Sequence, residues 1–342
     1  MTQPLPVEEL SAPVAEPAGD PILSIQDLRT TVRTRGERFD IVRGLSLDVY
    51  ENEVVCLVGE SGCGKSITAL SIMQLLPTPP VHITGGEVIF KGQDLLGLAS
   101  KEMRKVRSED ISMIFQDPLT SLDPVFTIGH LVVEVIRAHR DIGKAEAREM
   151  AVDILREVGI PGPEQRVNSY AHELSGGMRQ RVMIALALVL NPEILIADEP
   201  TTALDVTVQA QILEKLIEEQ QERRMAMLLI THDLAVVASV ADRVAVMYAG
   251  EIVEQATVDE LFDDPQHPYT QGLLKALPQV SRRREALLPI PGLVPPPQMM
   301  PPGCHFAPRC TFALEECWES HPELESAGDR RLRCYNPQPY EG

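Results

Sequence analysis

The stretch EVVCLVGESGCGKSITALSIMQLL, residues 53–76, leaves a chain few folds to choose from. Its centre, GESGCGKS at 59–66, fits the pattern G-x-x-x-x-G-K-[ST]. An apolar, β-rich run precedes it and a helical run follows, which is the context that pattern requires. The glycines let the backbone wrap closely around a phosphate chain, while successive N–H groups and the start of the helix hold negative charge. Lys65 is placed to reach the β- and γ-phosphates, and Ser66 to ligate Mg²⁺. The residues expected to line the nucleotide are Gly59, Glu60, Ser61, Gly62, Cys63, Gly64, Lys65, Ser66 and Ile67. Cys63 is read as a small filler, because a lone thiol reacts only when it has thiolate character.

Around that loop the pattern is α/β. ILSIQDLRTTV, IVRGLSLDVY, GEVIFKGQDL and ISMIFQ read as strands, as do the apolar runs ILIAD (194–198) and AMLLITH (226–232). The last two are separated by the amphipathic run VTVQAQILEKLIEEQQERR. Strands alternating with helices predict a mostly parallel sheet covered on both faces. Residues 127–170 are helical by period, and RVAVMYAGEIVEQ turns at Ala249-Gly250 as a hairpin.

At 342 residues, 44% hydrophobic and 24% charged, the chain is long enough for about two domains with a sizeable core. A net charge of −19 and no basic stripe argue against a nucleic-acid partner, and against direct adhesion to an anionic membrane. The longest apolar run, VMIALALVL at 182–190, is far short of the ~20 residues that span a bilayer. The first 20 residues lack the features of a secretory leader and read as a disordered acidic tail. The cysteines are then expected in a reducing compartment, where metal binding is favoured over disulfides.

ILIADEP ends a buried strand in two adjacent carboxylates. Neighbours on a strand point to opposite faces, so the two cannot share one task. Asp198 is placed to hold Mg²⁺ and Glu199 to polarise an attacking water.

ELSGGMRQR, 173–181, narrows the field. With the loop upstream and the Asp-Glu strand downstream, the chain resembles the ATP-binding cassette (ABC) ATPases, whose signature is LSGGQ-like; here the fifth position is Met178. The resemblance implies a phosphate-loop cassette with a mostly parallel sheet, N-terminal antiparallel strands and an inserted helical subdomain at about 118–190. It also implies that Ser175, Gly176, Gly177 and Met178 face the nucleotide of a second cassette, so that the working unit is a dimer. Three more matches follow in order: Gln116 in MIFQDP as the Q-loop glutamine and Mg²⁺ sensor, Asp205 in TTALDV as the D-loop, and His232 in LITHDL as the switch histidine. Phe39 aligns with the aromatic that stacks on adenine, although it could equally be core.

Downstream, DDPQHPYTQGLLKALP, PIPGLVPPP and a short cysteine pattern resemble the oligopeptide, dipeptide and nickel importer ATPases. The expected organisation is a tail (1–20), a nucleotide-binding domain (21–278), a Pro-rich linker (279–303) and a cysteine-rich unit (304–342). That unit is too short to be stable without a staple. Its spacing, Cys304-x₅-Cys310-x₆-Cys317-x₁₆-Cys334, lacks the usual zinc knuckle. Four thiolates suit iron–sulfur, and the resemblance implies a [4Fe–4S] site; zinc, then a disulfide or bare thiols, are the alternatives.

The resemblance implies ATP and Mg²⁺ as ligands, a paralogous second cassette, two transmembrane permease subunits and an extracytoplasmic solute-binding protein. It places the chain peripherally on the cytoplasmic face of a membrane. The rival readings are the same machine carrying nickel or another small solute, and a soluble ABC ATPase acting on nucleic acid or ribosomes.

Overall fold

A computed structural model describes residues 19–34, 36–117, 121–201, 205–276, 290–328 and 330–340. The strands in chain order are β1 (Leu23–Thr34), β2 (Glu37–Val49), β3 (Val54–Val58), β4 (Val81–Phe90), β5 (Gln93–Asp94), β6 (Ile111–Ile114), β7 (Ile194–Asp198), β8 (Ala226–Thr231), β9 (Arg243–Tyr248), β10 (Glu251–Thr257), β11 (Glu325–Ala327) and β12 (Arg330–Leu332). They form two sheets. The smaller has the order β2-β1-β4-β5 and is antiparallel; the larger has the order β11-β12-β10-β9-β3-β8-β7-β6.

In the larger sheet β6, β7, β8, β3 and β9 run parallel. Every residue of β3, β6, β7 and β8 is buried, as continuous apolar runs require when both faces are covered. Alternation splits β3 between two cores. Cys56 and Val58 pack with Leu195, Leu229 and the helical subdomain, including Val132, Leu155 and Val182. Val55 and Leu57 pack with Ile196, Leu228 and the antiparallel sheet, including Leu23, Ile25 and Leu45. Each such aliphatic side chain stabilises by about 1.5–3 kcal/mol, so slipping the register of β3 by one residue would exchange both sets at once.

The helical stretch predicted from period over 127–170 is present as Ile128–His139, Lys144–Glu157 and Pro163–Arg166, and a further helix, Gly176–Leu188, follows it. Thr127 starts it as a cap, accepting from the N–H of His130 at 3.3 Å. The hairpin at 249–250 is also present. Ala249 (φ 49°) and Gly250 (φ 92°) both adopt the left-handed conformation that two-residue hairpins favour.

Residues from 304 onward do not stand apart with a core of their own. Phe306 is buried, with ring centroids 5.2 Å from Tyr248 and 5.4 Å from Tyr269. β12 pairs with β10 through Glu254–Leu332 and Gln255–Arg331, and Arg333 donates to the Ile252 carbonyl at 3.1 Å. The stretch expected to need a staple instead borrows the core of the larger domain. The tail up to residue 18 and the linker up to 289 lie outside the described residues. No helix among the described residues is long and apolar enough to cross a membrane.

A second tie between this stretch and β10 is ionic. The buried Glu251 carboxylate lies 3.0 Å from His305 Nδ1 and 3.1 Å from His321 Nε2. Burial alone would push its pKa up; the hydrogen bonds and charge of the two imidazoles outweigh this and hold it at about 2. The hydrogen bond to Glu251 raises His321 above its ordinary 6.5. A depressed carboxyl stabilises above its unfolded value of 4.5 and loses that contribution as pH falls towards 2. A raised imidazole stabilises below 6.5 and loses its contribution as pH rises through the folded value. The tie is therefore strongest between 4.5 and 6.5. Thermal unfolding should show His321→Gln costing about 2 kcal/mol at pH 5.5 and clearly less at pH 8.5; an equal cost at both would refute the charged pair.

Candidate nucleotide site

Because β3, β7 and β8 are adjacent and parallel, their carboxyl ends open on one side of the sheet, where open α/β sheets bind ligands. The phosphate loop follows β3 there. Gly59 sits where a side chain cannot: a Cβ would meet the Met247 carbonyl oxygen at 2.2 Å. Gly64, at φ 112°, starts the helix Lys65–Ile72. The β9–β10 turn supports the loop from behind, the N–H of Gly250 donating to the Cys63 carbonyl at 2.8 Å. Cys63 is buried, and burial pushes its thiol up, which suits a filler rather than a nucleophile.

Lys65 is only 5% exposed, and its Nζ donates to the carbonyls of Gly59 at 2.8 Å and Glu60 at 3.2 Å. Ser66 Oγ donates to Asp198 Oδ1 at 3.0 Å, joining the loop to the end of β7. Burial raises the Asp198 carboxyl, and the Ser66 hydroxyl opposes the rise. A hydroxyl and a buried carboxylate side by side form an oxygen donor set that suits Mg²⁺.

Glu199 leaves β7 in the left-handed region at φ 45°, a conformation a non-glycine residue adopts at a cost. That turn directs its carboxylate away from Asp198's task. Gln116 Nε2, just past β6, donates to its Oε2 at 3.0 Å, and His232 Nδ1, just past β8, lies 3.3 Å from its Oε1. Two strand ends thus deliver one residue each to a carboxylate at the end of a third. The sequence motifs identify all three residues; the structure adds that they meet.

The signature lies elsewhere. Ser175 is exposed and caps the helix Gly176–Leu188, accepting from the N–H of Met178 at 3.3 Å. Gly177 lets that helix approach Val208, whose Cγ1 would lie 2.8 Å from a Cβ. No hydrogen bond among the described residues joins this cap to the phosphate loop. Asp205 caps the helix Val206–Arg223 through the N–H of Val208, 3.0 Å away, while residues 202–204 of the D-loop lie outside the described residues. Phe39 is half-buried on β2, two residues before Ile41, whose carbonyl abuts Gly64. Sequence reasoning missed Tyr269 and Arg309: the Tyr269 hydroxyl accepts from the N–H of Glu60 at 2.9 Å, and Arg309 pairs with the Glu60 carboxylate. Neither has a spacing signal, being 209 and 249 residues away.

Residues 42–202 match the family described as ABC transporter, and residues 253–317 match the oligopeptide/dipeptide transporter C-terminal region. The oligopeptide transport ATP-binding protein OppD of Bacillus subtilis is 53% identical over 79% of this chain and 76% of its own length. The chain belongs to the ABC transporter family. The dipeptide transport ATP-binding protein DppD of Haemophilus influenzae is 44% identical and covers 94% of this cassette protein and 97% of its own length. A solved dimer of the ATP-binding cassette MJ0796, in a post-hydrolysis state bound to ADP and Pi, superposes with a TM-score of 0.61 at 28% identity. It covers 69% of this ABC chain and 98% of its own.

The expected iron–sulfur cluster on Cys304, Cys310, Cys317 and Cys334 is corrected by these findings. The relatives are described plainly as oligopeptide and dipeptide transport ATP-binding proteins, and those descriptions give the cluster no support. Burial and the neighbouring cysteines push the thiols of Cys304, Cys310 and Cys334 up, Cys304 to about 11 and Cys334 to about 12, so that without a metal each is a neutral thiol. The ligand atoms that do converge within 4.8 Å among the described residues belong to Glu251, His305 and His321. Arg333 Nη1 lies 3.4 Å from His321 Nε2, at the margin of that group. Zinc, the alternative for the cysteines, finds no support in the relatives either.

Proposed function

We propose that this chain is the ATP-hydrolysing subunit of a membrane importer for di- and oligopeptides. The relatives matched over most of its length carry peptide-transport names, and the C-terminal match is to a region named for the same solutes. The observation that carries the hydrolytic part is the meeting of Gln116 and His232 on Glu199, beside the Ser66–Asp198 pair. Loop N–H groups and Lys65 take the phosphates, and Phe39 offers a ring to the adenine. Ser66, Asp198 and Gln116 would hold Mg²⁺, which supplies charge compensation to the triphosphate. Glu199 accepts a proton from the attacking water, Gln116 orients its carboxylate, and His232 holds it from the other side.

The Ser175–Met178 cap then serves the nucleotide of a second, paralogous cassette, and Asp205 lies near that joint. Nucleotide favours the closed pair over the open one, and hydrolysis reverses the preference. Two permease subunits convert that motion into transport, with an extracytoplasmic binding protein delivering solute. A groove of about 450 Å³ supports this coupling: Phe115, Ser121, Val135, Met183 and Leu186 line it just beyond Gln116, with Val125 and Phe126 exposed nearby in sequence. The chain would sit peripherally, on the cytoplasmic side.

Isolation of the intact assembly tests the reading. A second cassette and two membrane subunits should co-purify, and ATP turnover should rise with assembly and with peptide-loaded binding protein. Full turnover by a strict monomer would overturn it.

A further inference from the structure

Glu60 is the one carboxylate of the phosphate loop and is held at three points. Its N–H donates to Tyr269, its carbonyl accepts from Lys65, and its carboxylate accepts two hydrogen bonds from Arg309, at 2.6 Å from Nη1 and 2.9 Å from Nη2. Arg309 is fixed in turn. Its Nε donates to the Pro291 carbonyl at 2.9 Å, and its guanidinium lies over the rings of Tyr248 and Phe306 at 5.7 and 5.9 Å. Only 4% of its side chain is exposed, against 29% for Glu60.

A guanidinium so enclosed is costly to withdraw from water and persists only when its donors are satisfied. The planar fork meets the carboxylate in a bidentate contact that a lysine cannot copy. The location gives the pair its meaning. A loop built to receive a triphosphate is the worst place for a free carboxylate, since like charges repel more strongly where protein displaces water. The cation that answers it comes from beyond the Pro-rich stretch, next to Cys310, and not from the cassette's own motifs.

We propose that Arg309 is a positioning residue of the nucleotide site: it neutralises Glu60 and turns it aside, making triphosphate binding depend on the docked C-terminal stretch. This rests on reading 59–66 as the ATP loop. By linkage, bound ATP holds the C-terminal stretch in place as firmly as that stretch favours ATP. The second pairing in that stretch, β12 on β10, joins Glu254 to Leu332 and Gln255 to Arg331 and involves no residue of the loop.

The test is Mg-ATP affinity of the full-length chain, with thermal unfolding measured alongside. Arg309→Ala should weaken binding about tenfold, and adding Glu60→Gln should bring affinity back to within about threefold of wild type, because the second change removes the stranded charge. Arg309→Lys, which keeps the charge and most of the packing, should fall between and should also be relieved by Glu60→Gln; it carries the test if Arg309→Ala fails to fold. A purely structural role would lower thermal stability without relief by Glu60→Gln. Additive effects, or unchanged affinity in Arg309→Lys and Arg309→Ala, would overturn the proposal while leaving the ATP site standing. Normal ATP binding by Lys65→Ala would instead overturn the site assignment and this proposal with it.

Discussion

Glu199→Gln is expected to bind ATP and hold the paired, closed state while splitting ATP about 100-fold or more slowly than wild type. The amide keeps the size of the side chain and can still bond Gln116 and His232, 3.0 and 3.3 Å from the present carboxylate oxygens. What it loses is the basic oxygen that takes a proton from water, and with it a transition-state interaction with little ground-state counterpart. The left-handed backbone at Glu199 is unaffected by the change, so the orientation is retained. Single-turnover hydrolysis in the assembled complex and ATP-dependent pairing by size-exclusion measure the two halves. Near-normal turnover would remove Glu199 from the chemistry.

Lys65→Ala should fail one step earlier, at binding, with Mg-ATP affinity falling about 100-fold. Two losses add. The ammonium is the loop's own cation for the phosphates, and its Nζ also staples the carbonyls of Gly59 and Glu60 across the loop. Its burial means that no solvent ion of comparable position replaces it. Equilibrium binding of a fluorescent ATP analogue separates the two variants: Glu199→Gln retains it, Lys65→Ala does not.

The parts of the site readable in advance are those whose physics is local. GESGCGKS declares itself because glycine, lysine and serine must fall at fixed offsets between a strand and a helix. ILIADEP declares itself because an apolar strand ends abruptly in two acids. The Ala249-Gly250 hairpin follows from one residue type that tolerates positive φ beside a strand-forming run. The Glu60–Arg309 pair leaves no such trace, since its members are joined only after β3 and the C-terminal stretch have folded onto one side of the sheet. The cysteines were misread for a related reason. Their density in sequence suggested a cluster holding a small unit together, but the stretch is held by Phe306 among Tyr248 and Tyr269 and by the Glu251 pairings, none of which has a spacing to read.

The docking of Arg330–Leu332 along Glu251–Thr257 bears on how the protein avoids its own kind. Without it, β10 would border the sheet with a row of unsatisfied amide and carbonyl groups, an invitation to stack copy upon copy. The chain covers that border with β12 and β11, three-residue strands too brief to recruit another molecule, and Arg330 of β12 turns inward onto Glu254 at 3.2 Å. Covering β10 in this way therefore protects solubility, and a variant whose β12 cannot pair is the form most exposed to aggregation.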